Sequence, residues 1–132
     1  MEDKTVKISW VVPAYNEEEA IEPVLKEILD LMGTLEYTYE VIVVDDGSRD
    51  RTAEMILAKA QEHPEVRLVQ HEVNKGYGAA VYDAFAAATK EVIFFTDSDK
   101  QFVVQEISKL IPYLENADMV AGYRAPRRDP WM

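Results

Sequence analysis

Apolar residues recur along this chain in two rhythms that take turns. Short runs rich in β-branched residues read as buried strands, and longer stretches repeating every three to four residues read as helix faces. Residues 6–12 form the first strand-like run, which Pro13 stops. Pro23 suits the first turn of a helix, and Val24, Leu25, Ile28, Leu29, Leu31 and Met32 follow at helical spacing until Gly33 ends the run. Residues 39–44 make a second strand that closes on Asp45-Asp46-Gly47-Ser48. A second helix starts near Asp50, a good N-cap. It carries Ala53, Ile56, Leu57 and Ala60 on its inner face and closes at Pro64. Residues 66–69 give a third strand, and Gly76 and Gly78 lead into an alanine-rich third helix through Ala88. The unbroken apolar run 92–95 predicts a fourth strand buried on both faces. Ile107, Leu110, Ile111 and Leu114 mark a fourth helix, and residues 119–123 a short fifth strand.

Strands and helices in alternation signal parallel βαβ units. The expected fold class is therefore α/β, a doubly wound and mostly parallel Rossmann-like sheet, with residues 1–132 as one domain. No repeat, low-complexity tract or linker interrupts it. In such sheets ligands bind outside the carboxyl ends of the strands. Four polar or turn-forming clusters fall there: residues 13–17, 45–50, 74–78 and 97–101. Their convergence is the signal, since any one alone could be loop composition.

Composition narrows the partners. A formal net charge of -11 argues against nucleic acid, whose binders carry basic patches, and suits a site that collects cations. With no cysteine there is neither a disulfide framework nor thiolate chemistry. No apolar run approaches the roughly 18 residues that span a bilayer, and Met1-Glu2-Asp3-Lys4 is too acidic and polar for a signal peptide. The expectation is a cytoplasmic chain without a transmembrane segment.

Thr96-Asp97-Ser98-Asp99-Lys100-Gln101 places two carboxylates one residue apart where the fourth strand runs out. Side chains at i and i+2 of an extended segment point the same way, so Asp97 and Asp99 can close on one object. Like charges that near repel unless a cation or proton shares them. A divalent metal gripping a diphosphate fits, because oxygen ligands plus substrate phosphates are how Mg²⁺ is held. The bland alternative is a solvated acidic turn, against which stands the second acidic strand end at Asp45-Asp46. Gln101 offers a carbonyl to the same metal.

Tyr15 offers an aromatic face for a base, and Glu17 an acceptor for a ribose hydroxyl or base N–H, unless the segment is only a turn whose Asn16 caps a helix. Of the adjacent acids, alternation lets one face the crevice, and Asp46 is chosen; Asp45 is left to nearby backbone and Asp50 to a helix cap. Asn74-Lys75-Gly76-Tyr77-Gly78 brings a flexible turn and a cation to a helix N-terminus, which favours anions, although the P-loop spacing is absent. Lys75 either touches a phosphate or base or is simply solvated. Arg124, with Arg127 and Arg128, is either a phosphate contact or a solvated tail. His63 and His71 lack metal-ligand spacing and read as structural.

Val12-Pro13-Ala14-Tyr15-Asn16-Glu17, Val44-Asp45-Asp46-Gly47-Ser48-Arg49-Asp50, Asn74-Lys75-Gly76 and Asp97-Ser98-Asp99 together resemble the inverting glycosyltransferases of family 2, with the GT-A fold. They occur in order across nearly the whole chain, a highly specific combination. Asp97-x-Asp99-x-Gln101 with Gly122-Tyr123-Arg124 downstream is similar to the polyprenyl-phosphate branch of that family, including dolichol-phosphate mannose synthases. The resemblance implies a nucleoside-diphosphate-sugar donor held by Pro13, Tyr15, Glu17 and Asp46, with Ala14, Lys75, Gly76 and Ser98 beside them. It implies Mg²⁺ or Mn²⁺ on Asp97 and Asp99 with help from Gln101, and inversion by in-line displacement at the anomeric carbon. Arg124 would meet a phosphate of donor or acceptor, and a lipid-phosphate acceptor would put the work at the cytoplasmic membrane face.

Two departures qualify the resemblance. Lys100 stands beside the metal pair, where relatives often carry a small or apolar residue. Relatives also continue for roughly another half-domain, with the acceptor site, beyond the point that residue 132 is expected to match. The expectation is thus a donor domain without its C-terminal acceptor half, whose uncovered strand edge favours a homo-oligomer. The alternatives are a catalytically incomplete nucleotide-sugar-binding module or assembly partner, and a phosphoacceptor receiver. The receiver fold wants its acidic pair after the first strand, whereas Asp45 and Asp46 follow the second.

Overall fold

The computed structural model describes residues 7–35 and 37–98. The chain divides into two compact units, Met1–Phe102 and Val103–Met132, and the described residues belong to the first. The expected fourth helix and fifth strand lie outside the described residues, as do Asp99, Gln101 and Arg124.

Seven elements alternate as expected: β1 (Lys7–Ala14), α1 (Ile21–Leu35), β2 (Thr38–Asp46), α2 (Thr52–Glu62), β3 (Val66–His71), α3 (Tyr77–Ala87) and β4 (Val92–Phe95). Among the described residues the sheet is parallel throughout, in the order β3-β2-β1-β4. The chain steps outward from β1 to β3, then crosses back to the far side of β1. That reversal creates a switch point between β1 and β4, where a crevice opens at the strands' carboxyl ends. Right-handed crossovers put α3 on the face opposite α1 and α2. There Val11, Ile42 and Val44 meet Ala80 and Ala84, whose small side chains let the helix lie close to the strands.

β1 is central and buried from Ile8 onward, as a strand covered on both faces should be. It runs through Pro13, which was expected to stop it. The Val11 carbonyl accepts from the Thr96 N–H at 3.2 Å, so by alternation Val11 and Pro13 both turn their backbone polar groups toward β4. β4 has ended by then, and the N–H that proline lacks has no ladder partner to lose. α1 likewise continues past Gly33 to Leu35. Gly33 has open space around it, and a helix-interior glycine costs only about 1 kcal/mol.

Two expected burials differ. β4 is the outer strand among the described residues, and Ile93 is 40% exposed, so its apolar run does not mean burial on both faces. Leu57 of α2 is 50% exposed, leaving Thr52 and Ile56 as that helix's buried residues. Trp10 holds the end of β4: its ring meets Phe94 edge-on at 5.8 Å, and its indole N–H donates to Thr96 Oγ1 at 2.8 Å. This fixes the backbone immediately before Asp97.

Candidate functional site

A cavity of about 430 Å³ opens at the carboxyl ends of the strands. Pro13, Ala14, Tyr15 and Glu17 line it from the end of β1, Asp46 from β2, and Asp97 and Ser98 from the end of β4. Asn74, Gly76, Tyr77 and Ala80 close it from the turn into α3 and from that helix. Eight of the expected site residues therefore share one space: Pro13, Ala14, Tyr15, Glu17, Asp46, Gly76, Asp97 and Ser98.

The β1–α1 loop owes its shape to the loop after β2. Asn16 takes a left-handed conformation (φ 52°), which asparagine tolerates better than most residues. Its N–H donates to Ser48 Oγ at 2.9 Å, while its side-chain oxygen accepts from the Arg49 N–H at 2.9 Å. The Glu17 N–H donates to Thr52 Oγ1, and the Glu18 N–H to Asp50 Oδ2. Asp50, expected to cap α2, lies one residue before the actual N-cap Arg51; it accepts from the Thr52 N–H and so braces the turn into the helix while anchoring the neighbouring loop. These bonds hold Tyr15, 42% exposed, with its ring at the cavity rather than folded into the core.

Asp46 organises the opposite wall. Its carboxylate accepts from the Lys75 N–H at 2.8 Å and the Gly76 N–H at 3.0 Å, and His71 Nδ1 lies 2.8 Å from Oδ1. Burial works to raise its pKa, but the His71 bond and the two backbone N–H groups together hold it below the usual carboxylate range. The anion at the N-terminus of α3 is thus Asp46 itself, where the sequence suggested a ligand. Gly47 (φ +73°) makes this approach possible: a Cβ there would lie 2.4 Å from the backbone of Val73 and Asn74.

Lys75 does not line the cavity. Its side chain is exposed, and its backbone N–H serves Asp46. Asp45 was expected to bond nearby backbone. It is fully buried on the opposite side of the strand, and neither carboxylate oxygen has a hydrogen-bond partner. Sequence reasoning missed two contributors. Tyr77 donates its hydroxyl to Asp97 Oδ1 at 2.9 Å, and His71 bridges Asp46 and Asp83. Tyr77 sat inside a cluster already singled out; nothing local pointed to His71, because its partners are 25 and 12 residues away.

Asp97 brings a carboxylate to the cavity, the hard oxygen donor that Mg²⁺ and Mn²⁺ take. Among the described residues no three His, Cys, Asp or Glu side chains gather as a metal site; Asp99 and Gln101 lie outside those residues. Among those residues no helix is long and apolar enough to cross a membrane.

Comparison with known proteins agrees with this geometry. The chain is 35% identical over 132 residues to an undecaprenyl-phosphate 4-deoxy-4-formamido-L-arabinose transferase of Pectobacterium atrosepticum, covering 98% of this chain and 40% of that protein. It is 38% identical over 110 residues to a dolichyl-phosphate beta-glucosyltransferase of Trichomonas vaginalis, covering 80% of this chain and 33% of the relative. The chain therefore spans two-fifths or less of the length of these relatives. Among solved structures it resembles a Pyrobaculum calidifontis mannosyltransferase in complex with GDP-Man and Mn²⁺ (TM-score 0.70, 29% identity, 83% of this chain and 32% of that one). It also resembles the Mycobacterium tuberculosis glucosyl-3-phosphoglycerate synthase bound to Mn²⁺, UDP and phosphoglyceric acid (TM-score 0.67, 30% identity, 84% and 39%). The fold is the GT-A type that the sequence resemblance implies. The family model for glycosyl transferase family 2 matches residues 9–131, and the chain belongs to that family.

Proposed function

We propose that the cavity binds a nucleoside-diphosphate sugar and that this chain is the donor-binding part of an inverting glycosyltransferase acting on a polyprenyl phosphate. The observation that carries this reading is the meeting of Tyr15, Glu17, Asp46 and Asp97, from three different strand ends, around one space. The polyprenyl-phosphate and dolichyl-phosphate transferases among the relatives support the acceptor class.

Each side chain has a task in that chemistry. Tyr15 offers its ring to the base, and Glu17 accepts from a ribose hydroxyl or base N–H. Asp46 makes the wall between them rigid, and Tyr77 orients Asp97 toward the diphosphate. Mg²⁺ or Mn²⁺ held by Asp97, with Asp99 and Gln101 as the sequence pattern adds, would supply positive charge for the departing diphosphate. An acceptor phosphate oxygen bonds to the anomeric carbon as its bond to the diphosphate breaks, and the nucleoside diphosphate leaves. Such an acceptor is already an anion and needs little activation; Arg124 is the candidate to receive one of the phosphates.

Calorimetric titration of UDP and GDP, with and without Mn²⁺, tests the reading. One nucleotide is expected to bind with metal dependence, and Asp97→Asn or Asp99→Asn to remove that dependence while far-UV circular dichroism stays unchanged. Absence of binding by either nucleotide in the presence of Mn²⁺ overturns it.

A further inference from the structure

His71, the last residue of β3, does not line the cavity, yet its ring is buried and both nitrogens meet carboxylates. Nδ1 lies 2.8 Å from Asp46 Oδ1, and Nε2 lies 2.6 Å from Asp83 Oδ2 on α3. An ionised carboxylate only accepts, and a neutral imidazole carries one N–H. Both contacts are therefore satisfied together by the doubly protonated ring. We propose that His71, as an imidazolium, is a positioning residue for the cavity. Its two hydrogen bonds tie Asp46, and through Asp46 the backbone of Lys75 and Gly76, to helix α3.

The charged groups around the ring agree. The Asp46 bond raises the His71 pKa, burial opposes this, the Asp83 bond raises it further, and Lys75 opposes. The net displacement is upward from the ordinary value of about 6.5. The two carboxylates differ in what they can do when the ring loses a proton. Asp46 is locked by two backbone N–H groups, whereas the Asp83 side chain is 37% exposed and can turn to water. The neutral ring keeps its one proton for Asp46 and releases Asp83. Helix α3, which supplies Tyr77 and Ala80 to the cavity, then loses its His71 tie to β3, while the Arg67 bond to the Ala87 carbonyl at its far end remains.

The effect on ligand affinity rests on the donor-binding reading; the hydrogen-bond relay does not, so the two are tested separately. In the ligand-free chain, NMR follows the His71 ring and the Lys75 and Gly76 amides between about pH 5.5 and 9. The His71 midpoint is expected above that of an ordinary imidazole, with both amide signals shifting at the same midpoint. Asp83→Asn, on a half-exposed helix surface, is expected to move all three midpoints down together. In calorimetry with UDP or GDP and Mn²⁺, His71→Ala is expected to weaken binding about tenfold, the scale of one charge-assisted hydrogen bond. His71→Asn, whose amide nitrogen takes the place of Nδ1, is expected to recover part of that loss. Amide signals that ignore the His71 titration, or an unmoved midpoint in Asp83→Asn, overturn the proposal. Should neither nucleotide bind any form, the donor reading fails and the NMR series decides the role of His71 by itself.

Discussion

Strand β2 carries a buried carboxylate near each end of the face that lies under α3, and the two ends are built for opposite purposes. At the amino end Glu40 accepts from Ser9 Oγ at 2.6 Å, from the Thr89 N–H and hydroxyl at 2.8 Å each, and from Arg67 Nε at 3.1 Å. At the carboxyl end Asp46 takes its bonds from His71 and two backbone N–H groups. In both cases burial alone would push the carboxyl up, and hydrogen bonds outweigh it and hold the pKa down. The partners differ. A guanidinium is a permanent cation in proteins, and the one on Arg67 also donates to the Ala87 carbonyl at the end of α3, at 2.6 Å. His71 is held above the ordinary imidazole range by its carboxylate partners, yet unlike a guanidinium it is a side chain that can lose its charge. α3 thus has an anion at its N-terminus and a cation at its C-terminus, the arrangement its dipole favours. A buried acid is not in itself a mark of function; the open cavity beside Asp46 makes the difference.

Removing each carboxylate should separate the two roles. Glu40→Ala strands Ser9, Thr89 and Arg67 and is expected to cost about 3 kcal/mol in urea unfolding. The nucleotide affinity of the remaining folded chain should stay within about twofold, a change small beside one hydrogen bond. Asp46→Asn should show the reverse pattern. A stability loss of about 1–2 kcal/mol is expected from weakened charge-assisted bonds, with affinity for UDP or GDP falling by about tenfold or more, as the loop at residues 75–76 loses its anchor. Equal effects on stability and binding in both variants would erase the distinction.

pH sharpens the comparison further. Glu40 and Asp46 have depressed folded pKa values, so their contributions are complete above the ordinary carboxylate range and fade as pH falls through the folded values. Both ends should weaken together in acid. His71 has a raised folded value, so its contribution is complete below about 6.5 and fades as pH rises through the folded value. Only the Asp46 end should loosen in alkali, which hydrogen exchange measured separately on β2's two ends would reveal. The smallest effect concerns Asp45. Replacing this buried, unpartnered carboxylate by the neutral amide in Asp45→Asn is expected to stabilise the chain by about 1 kcal/mol in the same urea series.

Much of this was legible in the sequence, because strand and helix faces repeat locally. Residues 39–44 gave β2, and the charged ends of the strands marked where the cavity would be. Alternation showed that Asp45 and Asp46 could not both face the crevice, and Asp46, the one chosen, lines the cavity. Other features depend on partners distant in sequence. Pro13 could stay in its strand because β4, some eighty residues later, ends its pairing at Val11, two residues earlier. The run 92–95 read as buried on both faces, yet among the described residues it is the outer strand, a place set by a crossover direction that composition does not encode. His71 read as structural, and only the paired register with Asp46 shows what it holds.

The near-contact at Gly47 reaches beyond the fold. Because a Cβ here would lie only 2.4 Å from the Val73 and Asn74 backbone, any larger residue must push residues 73–74 away and pull Lys75 and Gly76 off the Asp46 carboxylate. If the cavity binds the donor as proposed, an engineer seeking new donor preference has little freedom on this wall. Productive diversity has to come from the opposite rim, where Tyr15 and Glu17 can be exchanged while the Asn16–Ser48 clasp stays in place.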